Sequence, residues 1–123
     1  YWVSFPEFIR LADGSPIVVK TLAEKNFTPD WQDFEKKISA RTSAIILNSP
    51  SNPTGAVWDD TTVKRLLNIA AERDWVVISD ECYERLVYDQ SYSSTEAINA
   101  DRIVFVKTND PLGKTACDSP CPS

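Results

Sequence analysis

Apolar residues recur along this chain with two different periods, and their alternation predicts how the chain is organised. Phe5, Phe8, Ile9 and Ala12 fall at helical intervals, Ser4 and Glu7 have capping-box spacing, and Gly14 follows as a stop. A short first helix is expected there. Ile17 to Lys20 is brief and β-branched and reads as a strand. Thr28 followed by Pro29 predicts the cap and first position of a second helix. Its apolar face is Trp31, Phe34 and Ile38, and it runs to about Ser39.

Ala44 to Leu47 is uniformly apolar, as expected of a strand covered on both faces in a parallel sheet. Asp59 or Asp60 then caps a third helix with Val63, Leu66, Leu67 and Ala70 on one face and an end near Arg73. Trp75 to Ser79 reads as another buried strand, with Asp80 where it ends. Glu81 to Tyr88 has no decisive period and reads as a short irregular element, Thr95 to Asn99 as a helical turn, and Arg102 to Val106 as the last strand. Strands alternating with helices predict an α/β fold: three layers, with a mostly parallel sheet and helices on both faces.

Ligands of such sheets bind beyond the carboxyl ends of the strands. Asn48 and Asn52 follow one strand end, Asp80 and Tyr83 the next, and Thr108 to Lys114 the last. Between the first two strands lies NSPSNPTG, Asn48 to Gly55. Pro50 and Pro53 fix the course of this loop, and Gly55 allows a backbone conformation closed to other residues. Asn48 and these residues shape the loop, which presents Asn52 to a ligand.

Composition narrows the chemistry. With 123 residues, 42% hydrophobic and 25% charged, the chain has the make-up of one ordinary globular domain or part of one. A net charge of -5 argues against nucleic acid or an anionic membrane as the main partner. Histidine is absent, which removes Ser/His/Asp and Cys/His nucleophile systems and the usual zinc ligands. Cys82, Cys117 and Cys121 form no even-numbered framework and read as reduced thiols, so no metal site is expected. There is neither an apolar run of transmembrane length nor a basic leader into an apolar segment, which points to a cytoplasmic chain. The chain contains no methionine and opens inside an aromatic, pattern-rich stretch, as a piece of a longer protein would.

Three stretches, YWVSFPEF at the start, NSPSNPTGAV in the middle and SDECYERLVYD after the next strand, follow one another in a familiar order and spacing. Over roughly Tyr1 to Lys107 the chain resembles part of the large domain of class I aminotransferases, of the pyridoxal-phosphate fold type I group. The resemblance implies a partial cofactor-binding domain over residues 1–108 and a divergent, irregular tail over 109–123. It implies that Asp80 lies beside the cofactor ring nitrogen, that Asn52 and Tyr83 donate to its phenolic oxygen, and that Trp2 stacks on its ring. Taken singly, the same residues also read as a strand-end cap, a turn asparagine, a buried tyrosine and a core tryptophan. Glu81 and Glu84 read as exposed surface.

By the same resemblance the catalytic lysine is Lys114, followed by Thr115. Gly113 stands where the family has serine, the spacing from the strand is a few residues longer, and Lys107 is nearer the strand but lacks the motif. The implied activity transfers an amino group from an amino acid to a 2-oxo acid in a homodimeric enzyme, with no sustained turnover expected from this piece alone. Two other readings stay open. One is a non-catalytic remnant or interaction piece. The other is a nucleotide-binding module in which Gly113, Lys114 and Thr115 end a GxxxxGKT loop, with Thr108 in place of its first glycine.

Overall fold

A computed structural model describes residues 1–88, 92, 94, 95 and 102–106. Of the helical turn expected from Thr95 to Asn99, only Thr95 is among them. Lys107, the tail with Lys114, and the two cysteines Cys117 and Cys121 lie outside the described residues. The elements run in the order α1 (Phe5–Leu11), β1 (Thr21–Leu22), β2 (Thr28–Pro29), α2 (Trp31–Lys37), β3 (Ala44–Asn48), α3 (Asp60–Glu72), β4 (Val76–Asp80) and β5 (Ile103–Val106). Strands β3, β4 and β5 form a parallel sheet in that order, with Asn48 opposite Asp80 and Asp80 opposite Val106. This is the α/β arrangement the periodicities predict.

The core lies between the sheet and α3. Val63, Leu66, Leu67 and Ala70 of α3 pack with Leu47, Val77, Trp75 and Phe34, all buried. Asp59 is the residue that caps α3, its carboxylate accepting from Thr62 N at 2.7 Å. At the other end Asp74, with φ 56, takes the left-handed position, and Trp75 N donates back to Ala70 O at 2.8 Å. That turn delivers Trp75 into the core and β4 into the sheet. Helix α2 adds Phe34, edge-on to both Trp31 and Trp75, while the Arg65 guanidinium covers the Trp31 ring at 3.9 Å. The opposite sheet face carries Ile46, Ile78 and Val104 in one cross-strand row. In this row Ile46 and Ile78 are half-buried, and Val104 is 54% exposed.

Several local expectations are corrected. Ile17 to Lys20 is not a strand; Thr21–Leu22 is, paired antiparallel with Thr28–Pro29. Thr28 therefore does not cap α2. Asp30 does, accepting from Gln32 N at 3.0 Å and Asp33 N at 3.3 Å, and Pro29 is left to end a strand whose partner no local pattern reveals. Helix α2 ends at Lys37, where Lys37 Nζ meets both Val18 O and the Asp33 carboxylate. In α1, Ser4 makes no side-chain cap, and Glu7 pairs with Arg10 instead of reaching back. Asp13, not Gly14, takes the left-handed position after α1. Gly14 is needed for another reason: a Cβ there would sit 2.8 Å from Ile9 Cγ2.

Candidate functional site

The ends of β3 and β4 set the site. Parallel register puts Asn48 beside Asp80, and both are buried. The Asn48 side chain ties the loop to the sheet: Oδ1 accepts from Asn52 N at 2.9 Å, while Nδ2 reaches Asp80 O at 3.4 Å and Pro50 O at 3.5 Å. The loop closes on itself through Gly55 N to Ser51 O at 2.7 Å and Ser51 N to Ala56 O at 2.9 Å. Gly55 has φ 70, and a Cβ built on it would meet nothing within 4 Å, so glycine serves the backbone conformation and not a close approach. The loop exit is held as well. Ser49 Oγ accepts from Trp58 N, Trp58 Nε1 donates to Phe27 O, and Asn26 Nδ2 donates to Val57 O, each at 3.0 Å.

This frame brings two of the expected residues together. Asn52 Nδ2 lies 3.5 Å from the Tyr83 hydroxyl, at the rim of a cleft of about 370 Å³ that Pro50, Pro53, Gly55 and Leu86 also line. Tyr83 is 39% exposed, so it is not a core tyrosine. A single 3₁₀ turn, Glu84–Leu86, carries it there, with Leu86 N donating to Tyr83 O. Asp80 is 8% exposed, and its Oδ1 accepts from Cys82 N at 3.2 Å, so the carboxylate does cap the turn that follows it. Burial, together with a hydrogen bond to Asp80 and its charge, pushes the half-buried Cys82 thiol up to about 11. Trp2 is 39% exposed and packs edge-on against Phe5 and Phe8, and neither it nor Asp80 is among the residues lining the cleft.

Glu81 overturns its reading as exposed surface. It is fully buried, and its Oε1 accepts from Ser79 Oγ and Thr95 N, both at 3.0 Å, and from the Thr95 hydroxyl, while Oε2 accepts from Ser94 Oγ. Burial alone would raise its pKa, but the donors from Ser94, Thr95 and Ser79 outweigh it and hold the carboxyl below its ordinary range. Tyr92, two residues before Ser94, meets the loop instead: its hydroxyl donates to Ser49 O at 3.2 Å. No sequence pattern announces this cluster. Its only local trace is the alternation Ser79, Glu81 at a strand end.

Chemically, an amide and a phenol aimed together suit an acceptor oxygen on a ligand, and a carboxylate on the neighbouring strand end suits a protonated nitrogen. The model of the family described as "Aminotransferase class I and II" matches residues 1–115. The chain belongs to this aminotransferase family. It is 44% identical over 106 residues to the aspartate/prephenate aminotransferase of Thermus thermophilus, an alignment covering 86% of this chain and 28% of that protein. It is 38% identical to the aspartate aminotransferase of Bacillus subtilis, covering 84% of this chain and 26% of the relative. Among solved structures, an aspartate aminotransferase double mutant from Thermus thermophilus superposes with a TM-score of 0.81 at 39% identity, over 87% of this chain and 28% of that one. The alanine aminotransferase of Pyrococcus furiosus gives a TM-score of 0.77 at 35% identity, over 84% and 26%. This aminotransferase chain thus spans little more than a quarter of the length of the proteins it matches, and its α/β sheet is part of their fold.

Proposed function

We propose that this chain carries part of the pyridoxal-phosphate pocket of an enzyme that moves an amino group from an amino acid to a 2-oxo acid. The observation that carries the reading is the Asn52–Tyr83 pair, 3.5 Å apart at the cleft rim, on a loop that Asn48 ties to the strand end bearing Asp80. These residues fit the cofactor. Asn52 and Tyr83 would donate to its phenolic oxygen, and the buried Asp80 would hold the proton on its ring nitrogen. Bound there, the cofactor supplies an electron sink for the carbon that loses its proton. Trp2 would cover the ring. Lys114 would supply the amine that anchors the cofactor, and the family match, which runs through residue 115, supports that assignment.

The whole reaction belongs, in this reading, to a longer protein, since the chain spans 28% of its Thermus relative. We expect no sustained turnover from these 123 residues, a homodimer as the working form of the complete enzyme, and a cytoplasmic setting. No helix among the described residues is long and apolar enough to cross a membrane. The test is to mix the purified chain with pyridoxal phosphate, follow the visible absorbance, reduce with borohydride and locate the modified lysine by mass spectrometry. Labelling concentrated at Lys114 and weakened by Asp80→Ala is expected. Scattered labelling that Asp80→Ala leaves unchanged would overturn the proposal.

A further inference from the structure

Three residues outside the cleft converge on one buried carboxylate, and the proposed function uses none of them. Glu81 accepts from Ser79, from Ser94 and twice from Thr95, so a charge that would be costly to bury is surrounded by donors. Thr95 Oγ1 also lies 2.9 Å from Ser79 Oγ, which closes the cluster onto β4. Tyr92 lies two residues before Ser94 in this segment, and its hydroxyl donates to the backbone oxygen of Ser49 at 3.2 Å. Ser49 follows β3 directly and begins the loop, and its Oγ receives Trp58 N at the loop exit.

We propose that Glu81 is a positioning residue: its carboxylate holds Ser94 and Thr95 against the end of β4 and so places the segment that carries Tyr92, whose hydroxyl fixes the entry of the Asn48–Gly55 loop that bears Asn52. The linkage spans two strand ends. Asp80 and Tyr83 flank Glu81 in sequence, while Asn52 sits three residues after Ser49, so one carboxylate secures both sides of the Asn52–Tyr83 pair. The Tyr92 hydroxyl keeps its proton for this work. Burial raises its pKa first, and the negative charges of Glu81 and Glu84 raise it further.

The consequence for cofactor binding rests on the proposed function, but the tie itself is measured without cofactor. Amide hydrogen exchange is followed in the intact chain, in Glu81→Gln, and in Tyr92→Phe, which keeps the ring and removes only the hydroxyl. The amides to watch are Ser51, Asn52 and Gly55, bonded respectively to Ala56 O, Asn48 Oδ1 and Ser51 O. Their exchange should quicken about tenfold or more in both variants, while Trp75, bonded to Ala70 O at the end of α3, changes less than about threefold. Unchanged loop amides, or an equal acceleration at Trp75, would overturn the proposal. Titration with pyridoxal phosphate gives the second readout. Glu81→Gln should weaken binding about tenfold, and adding Asn52→Ala to it should cost far less than Asn52→Ala alone, because both act through one loop. Additive losses, or unchanged affinity in Glu81→Gln, would overturn the positioning role. Responsive loop amides in a chain that takes up no cofactor would overturn the proposed function and leave the tie standing.

Discussion

Replacing Asn48 by alanine isolates the bond that attaches the loop to the sheet. The substitution removes the acceptor of Asn52 N at 2.9 Å and leaves that half-buried donor without a partner, a loss of about 1–2 kcal/mol. The two Nδ2 contacts, at 3.4 and 3.5 Å, lie at the edge of hydrogen-bonding distance and add about 0.5 kcal/mol together. The expected destabilisation is therefore about 2 kcal/mol, or roughly 8 °C in Tm for a chain of this size. Urea unfolding read through tryptophan emission suits the measurement, since Trp75 is 5% exposed and sits in the core. Asn48→Leu, which keeps the volume, should lose about as much, because the missing acceptor and not a cavity is the cause. A loss below about 0.5 kcal/mol in both variants would refute the view that Asn48 holds the loop.

Three further outcomes follow from the same structure. Asp59→Ala should destabilise α3 by about 1 kcal/mol in a thermal melt, because it removes the acceptor of Thr62 N, whereas Asp60→Ala should be near neutral. Stability should also fall at both ends of the pH range. Glu81 stays ionised in the folded chain where the unfolded chain is protonated, so its contribution is complete above its ordinary 4.5 and is lost as pH falls through the lower folded value. Tyr92 and Cys82 are raised on folding, so their contribution is complete below their ordinary 10.0 and 9.0 and declines as pH rises beyond them. Urea midpoints in acid should therefore flatten in Glu81→Gln relative to the native chain. Finally, Cys82, pushed up to about 11, should react with iodoacetamide at neutral pH far more slowly than a free thiol, and as fast as one only if the turn after Asp80 has opened.

The features legible in the chain are those whose physics is local. The helical spacing of Val63, Leu66, Leu67 and Ala70, the apolar runs before Asn48 and Asp80, and the glycine of the central loop all act within a few residues, and each is found where its pattern puts it. Three ordered motifs sufficed for the family. The remaining features depend on partners distant in the chain. Thr28–Pro29 became a strand because Thr21–Leu22 lies opposite, and so Asp30 inherited the cap. Asn52 meets Tyr83 because β3 and β4 pair in parallel with their ends level, a register that no stretch of sequence displays. Glu81 is the clearest case. A glutamate beside two other acidic residues reads as solvated, because exposure is the low-energy default for a charge with no visible partner. Its partners include Ser94 and Thr95, 13 and 14 residues further along, and only their arrival over the end of β4 makes burial of the carboxylate favourable.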